Sequence, residues 1–225
     1  MKNILAIETS TPVCSVALQT GDGRIKEKRI EGRGVHSEYT VQFVNELLER
    51  AGLRVDDLDA VYFSNGPGSY TGLRIGAALI KGLLFQKDVP LFLFPTLLSF
   101  MAGQSDKISN SQNLHAVIDA RRNHLYYQQA KSDFSEISEP EVLELGKVTD
   151  KIENGDLVIG SGWDRLNRKD FASVRWLGLE GVTGSSLIWA AKNPELKKYF
   201  VKGDVELFEP NYLTMSQINN TTIGG

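Results

Sequence analysis

The residues best suited to chemistry are a glycine-rich run, Ser64-Asn-Gly-Pro-Gly-Ser-Tyr-Thr-Gly-Leu-Arg-Ile-Gly76, and two acids, Glu8 and Asp119, each closing an apolar run. A phosphate-binding P-loop needs Lys followed by Ser or Thr after its glycines, to neutralise the distal phosphates and reach magnesium. Leu73-Arg74 stands in that place. A dinucleotide fingerprint needs G-x-G-x-x-G, and the spacing of Gly66, Gly68 and Gly72 is one residue too long. Three readings stay open: a tight strand-to-helix hinge, a generic anion site at a helix N-terminus, and a surface made flat for another protein. Ser69 and Thr71 could contact an anion or cap the following helix.

Glu8 and Asp119 could hold a metal-nucleotide complex or activate water in a two-lobed phosphotransferase. Their plainer role is to bond backbone amides at turns. Three histidines, His36, His115 and His124, are too scattered to suggest a metal site. Ser10, Cys14 and Ser15 have no base near them in sequence, so a hydrolase triad has no support. Arg121 and Arg122 follow Asp119 on a polar turn, where they are either solvated or able to meet phosphate.

The elements that position these residues follow from periodicity. Ile4–Ile7, Cys14–Leu18 and Arg24–Ile30 predict an antiparallel meander, the last two joined by the Gly21-Asp22-Gly23 turn. Ser37–Ala51 predicts a helix, with Phe43, Val44, Leu47, Leu48 and Ala51 at helical spacing and Gly52 as its stop. Ala60–Phe63 predicts a buried strand, Gly72–Phe85 a second helix, Pro90–Phe94 a strand, and a third helix runs from Pro95 to near Gly103. The polar run Gly103–Asn113 marks a domain boundary, giving lobes of 1–103 and 104–225, with the C-terminal segment able to return to the first. Beyond it the plan restarts. Leu114–Asp119 and His124–Ala130 mirror the first two strands, and Leu157–Trp163 echoes Val61–Gly68. Such a duplication would set two similar lobes across a cleft, with Trp163, Trp176 and Trp189 in the second core.

The 225 residues are 41% apolar with a net charge of -3, which suits a globular α/β protein and gives no global attraction to nucleic acid or anionic membrane. The one cysteine rules out an internal disulfide and a cysteine zinc site. Glu8 interrupts the N-terminal apolar run too early for a signal peptide. The run Ala77–Phe85 is far shorter than the ~18 residues of a spanning helix. A cytoplasmic location is expected.

The second helix points to a partner. Gly68, Gly72 and Gly76 recur every four residues, and Ala78 and Gly82 repeat the spacing on another face, so a neighbouring backbone could approach closely. Each interior glycine costs a helix up to ~1 kcal/mol relative to alanine, and packing must offset that. Apolar residues surround nearly the whole helix, more than one sheet can cover.

Ile4-Leu-Ala-Ile-Glu-Thr-Ser-Thr11 with Cys14-Ser-Val-Ala-Leu18, Gly66–Gly76, Ile118-Asp-Ala-Arg121 and Glu209-Pro-Asn-Tyr-Leu213 together resemble the bacterial TsaB family, also called YeaZ, over essentially the whole chain. The resemblance implies a two-lobed, duplicated actin, sugar-kinase and Hsp70-like (ribonuclease H-like) α/β fold with a reduced second lobe. It also implies an accessory subunit in making threonylcarbamoyladenosine beside the anticodon of tRNAs. The family pairs with a homologous catalytic subunit, TsaD, and an ATPase, TsaE, joins them. The catalytic relative binds metal through a His-x-x-x-His helix, whereas the matching segment here, Pro95–Gly103, has no histidine.

The expected role is therefore a non-catalytic scaffold that activates TsaD, with no metal or cofactor of its own; ATP and magnesium are compatible with the assembled complex. TsaD and TsaE homologues are the expected partners, tRNA is reached indirectly, and a homodimer is an option for the isolated chain. By the resemblance, partner contact falls on the first-lobe helices, at Tyr39, Phe43, Gly68, Gly72, Arg74, Ile75, Gly76, Ala78, Leu79, Gly82 and Leu83. Glu8, Ser69 and Thr71 are the candidate nucleotide or anion contacts. The alternative is a stand-alone nucleotide phosphohydrolase or kinase of the same fold.

Overall fold

The computed structural model describes residues 2–104 and 112–213. Most of the expected boundary run and the whole tail from Thr214 lie outside the described residues.

β1 (Ile4–Glu8), β2 (Val13–Gln19) and β3 (Ile25–Glu31) form the expected antiparallel meander. β4 (Ala60–Ser64) pairs parallel to β1, and β5 (Leu91–Phe94) parallel to β4. The second lobe repeats this plan. β6 (Asn113–Asp119), β7 (His124–Lys131) and β8 (Glu141–Glu144) form an antiparallel meander, β9 (Leu157–Ile159) lies parallel to β6, and β10 (Arg175–Leu177) parallel to β9. The sheet orders are β11-β5-β4-β1-β2-β3 and β10-β9-β6-β7-β8, so the lobes superpose strand for strand once β11 (Val201–Gly203) is set aside. The restart at Leu114 is a duplicated topology.

Five layers result. α1 (Val35–Ala51) and α2 (Tyr70–Leu84) cover one face of the first sheet, burying Leu5, Ile7, Val16, Val61 and Phe63 against Phe43, Leu47, Leu73 and Ile80. α3 (Thr96–Ala102) and α5 (Ser185–Lys192) lie between the sheets, where Ala6, Phe94, Leu97, Phe100, Leu114, Ile159 and Leu187 share one core. The space between the lobes is therefore apolar and filled, where the sequence suggested a cleft. α4 (Leu145–Thr149) and the segment around Trp163 and Trp176 cover the far face of the second sheet. Trp189, expected in that core, lies on α5 half exposed beneath Lys192.

Helix ends follow local chemistry. α2 begins at Tyr70, two residues ahead of expectation, because the Ser69 hydroxyl accepts from the Gly72 amide at 3.2 Å and satisfies a free N–H of the first turn. α1 stops where Gly52 turns left-handed at φ 66° and its amide returns to the carbonyls of Leu48 and Glu49. After β10 and α5 the chain comes back to the first lobe. β11 pairs antiparallel with β5, Phe208 is buried against Phe63, and the Asn211 amide donates to the Asn65 carbonyl at 2.7 Å.

Candidate functional site

The glycine run is where β4, α2 and the returning C-terminal segment meet. Its repeat of small residues predicts close approach of a backbone, and the backbone that approaches is the chain's own. A Cβ on Gly68 would lie 2.6 Å from the Ser10 Cβ, one on Gly72 would overlap the Thr9 carbonyl, and one on Gly76 would come within 2.5 Å of the Thr9 hydroxyl and 2.7 Å of the Phe63 ring. Gly72 and Gly76 are buried. These glycines seat α2 on the turn between β1 and β2, which corrects the expectation that they lie open to a partner. Phe43 is likewise buried, packed against Tyr39 with the Lys28 ammonium over its ring, and does not belong to an open surface.

The other predicted residues divide by exposure. Arg74, Ala78 and Gly82 are exposed, while Tyr39, Ile75, Leu79 and Leu83 are half-buried. A side chain at Gly82 would meet nothing within 4 Å. Two residues that sequence reasoning passed over complete the face, Tyr70 at 54% and Phe85 at 62% exposure. Their signal was available: Tyr70, Arg74 and Ala78 fall four residues apart, with Gly82 and Phe85 continuing the stripe. The Arg74 guanidinium lies 4.0 Å from the Tyr70 ring centroid, and the ring of Tyr212 of the returning segment packs against the Tyr70 ring at 5.0 Å. The open face is thus largely apolar, poor in side-chain bulk at its centre, and closed at one end by Tyr70 with Arg74 and Tyr212 packed against it.

The candidate anion contacts are not brought together. Ser69 is spent on the helix cap and Thr71 is exposed one residue into α2. Glu8 is wholly buried, with its Oε1 accepting from the Ser10 amide at 2.6 Å and the Ser10 hydroxyl at 2.5 Å. Ser64 Oγ stands beside this carboxyl without a well-formed hydrogen bond, and Glu8 Oε2 has no partner. Burial pushes the Glu8 acid up to about 7 despite the bonds from Ser10 and the nearness of the Ser64 hydroxyl. The carboxyl anchors a turn, and no exposed face of it is left for a nucleotide.

In the second lobe His115, fully buried, bridges the Tyr127 hydroxyl at 2.9 Å and Asp156 Oδ2 at 2.8 Å. Burial alone would raise the Asp156 acid, but bonds from His115 and from the Asn113 and Glu153 amides together hold it below its usual value. Asp119 pairs with Arg165. Among the described residues no group of three His, Cys, Asp or Glu side chains is arranged to hold a metal ion. No described helix is long and apolar enough to cross a membrane.

A duplicated sheet with matching strand order and helices between and outside the two copies defines the class: the ribonuclease H-like, two-lobed α/β fold of actin, sugar kinases and Hsp70. Within that class the family follows from similarity. The chain is 32% identical to the tRNA threonylcarbamoyladenosine biosynthesis protein TsaB of Haemophilus influenzae, over 71% of this chain and 72% of the relative. It is 31% identical to TsaB of Escherichia coli, over 93% and 94%. A solved structure described as YeaZ from Pseudomonas aeruginosa covers 95% of this chain and 100% of its own at 25% identity, with a TM-score of 0.76. The family model described as TsaD: tRNA N6-adenosine threonylcarbamoyltransferase matches residues 33–159. The chain belongs to the TsaB (YeaZ) family, which is itself related to that transferase.

Proposed function

We propose that this protein is a non-catalytic scaffold in tRNA threonylcarbamoyladenosine biosynthesis, docking the homologous transferase TsaD through α2 and the adjoining edge of α1. The observation that carries this reading is the α2 face of Tyr70, Arg74, Ala78, Gly82 and Phe85, an open stripe on a helix whose opposite side is already packed. An interior glycine exposed to water, as Gly82 is, gains nothing for the isolated chain and costs about 1 kcal/mol in helix propensity. Close packing against a second helix would offset that cost. The match of residues 33–159 to the transferase model supports the choice of occupant, because a homologous lobe carries helices in equivalent positions and two such lobes can pair about a pseudo-two-fold axis. In this reading the chain has no cofactor, acts in the cytoplasm, and shares its assembly with a TsaE homologue.

The test is co-purification of the chain with the TsaD homologue of its own cell, followed by size exclusion. The wild type should elute as a complex, and Ala78→Trp should elute alone with an unchanged circular dichroism spectrum. Co-elution of the Trp variant would overturn the docking surface. Calorimetry of the isolated chain with ATP and magnesium should show no binding heat; saturable heat would favour a nucleotide enzyme instead.

A further inference from the structure

The β6–β7 hairpin carries Arg121 and Arg122 at its tip, both exposed, both with left-handed backbone at φ 73° and 50°. Asn or Gly adopts that conformation more easily than arginine, so the turn itself does not call for these side chains. Their guanidinium groups have no acidic partner within ion-pair distance among the described residues. The backbone beneath them is fixed. Arg165 reaches across from the 163–165 turn to Asp119 and to the carbonyls of Arg122 and, at 3.3 Å, His124, so it neutralises the hairpin's own acid and holds the tip in place. The Arg121 amide is tied to Asp119 Oδ1 at 2.8 Å.

Two neighbouring segments add positive charge at the same end. The Leu145 amide bonds the Asn123 carbonyl at 3.2 Å, bringing α4 and its exposed Lys147 to the hairpin. Beyond Arg165, the exposed Arg168 lies over the Trp163 ring with its guanidinium 4.5 Å from the centroid, and the exposed Lys169 follows. Against Arg121, Arg122, Lys147, Arg168 and Lys169 stand the exposed acids Glu144, Asp150, Asp164 and Glu180, the last beside the Trp163 indole. In a chain of net charge -3 the cations of this end that lack an ion-pair partner among the described residues are concentrated at the hairpin tip on the second lobe, where Asp119 is already taken by Arg165.

We infer that the β6–β7 tip, with the Trp163–Arg168 pair beside it, is a docking surface for the phosphodiester backbone of RNA. Guanidinium groups on a turn whose backbone is already fixed meet phosphate oxygens at the cost of side-chain ordering alone, and the Arg168–Trp163 pair offers a surface on which an unpaired base can stack. The inference rests on the proposed place of this chain in a tRNA-modifying assembly, and it gives the second lobe a task that the first-lobe helix does not perform.

The experiment compares three forms of the full chain, alone and assembled with its TsaD homologue, titrated with fluorescently labelled unmodified tRNA at about 50 and about 200 mM salt. Arg121→Asn with Arg122→Gly removes both charges while easing the backbone, so loss of binding cannot be blamed on a damaged hairpin. Arg121→Lys with Arg122→Lys keeps the charge. The Asn/Gly form should bind about tenfold more weakly at low salt and lower the salt slope by about 1.5, with the Lys form close to wild type. Unchanged affinity and slope in the Asn/Gly form overturn the inference even when the assembly elutes intact, which leaves the scaffold reading standing. Loss of co-elution with TsaD in the Asn/Gly form, at unchanged tRNA affinity, overturns it in favour of a protein contact. Failure of the wild type to pair with TsaD overturns the scaffold reading, and the titrations of the chain alone then decide the RNA surface by themselves.

Discussion

Glu8 and Ser64 lie side by side at the carboxyl ends of adjacent parallel strands, fully buried, with Glu8 Oε2 and Ser64 Oγ each lacking a formed hydrogen bond. A proton on Oε2 would let the carboxyl donate to the serine and satisfy both atoms at once. This agrees with the upward displacement of the Glu8 acid to about 7, caused first by burial. Because the folded protein then holds a proton that the unfolded chain releases near its ordinary carboxylate value, stability is fully present below that value and falls as pH rises towards about 7. Glu8→Gln keeps the neutral shape. Denaturant unfolding should show it more stable than wild type at pH 8, by about 2–3 kcal/mol, and equal to it at pH 4. A wild-type curve flat between those pH values would count against a protonated Glu8.

Gly76 and Gly82 should respond in opposite directions. A methyl at Gly76 presses on the Phe63 ring and the Thr9 hydroxyl, so Gly76→Ala is expected to destabilise by about 1–3 kcal/mol. Gly82 faces open space, and Gly82→Ala should stabilise the isolated chain by about 0.5–1 kcal/mol. Melts of the two variants side by side check the sign.

Bulk at Gly82 should separate folding from assembly. Gly82→Trp adds an indole to the open stripe at a position where a Cβ meets nothing within 4 Å, so the melting temperature should hold while the complex with TsaD is lost. A complex that survives this change would place the partner elsewhere.

The returning C-terminal segment should matter to α2. Phe208 is buried against Phe63, and Lys81 Nζ on α2 donates to the Glu206 carbonyl at 2.8 Å. Phe208→Ala is expected to cost about 3–4 kcal/mol. Hydrogen exchange should then quicken in α2 and β5 before α4; uniform quickening would argue against a local clasp.

The buried Asp156 should be sensitive to charge removal. Asp156→Asn keeps the shape but replaces an acceptor of the His115 and Asn113 bonds with a donor on one side, and is expected to destabilise by about 1–3 kcal/mol. Stability comparable to wild type would show the network to be dispensable.

Much of this architecture was legible in the residues. Period-two runs, turn glycines and the repeat of Leu47, Leu48 and Ala51 are local signals, because a strand or helix shows its pattern within a few residues. The echo of Ile4–Glu8 in Leu114–Asp119 likewise anticipated a second copy of the sheet. The glycine period of α2 fixed which residues share a face, yet it could not say what would lie against them. Only tertiary structure set Thr9 and Ser10 there, through contacts more than fifty residues apart in sequence, with Phe63 of the preceding strand beside them, and left Tyr70, Gly82 and Phe85 open on the other side. The same holds for Glu8, whose burial depends on packing that no short window contains, and for the space between the lobes, which α3 and α5 fill because their apolar residues have both sheets to bury against. Local sequence decides periodicity; the surroundings of each face are decided by distant segments that meet only when the chain has folded.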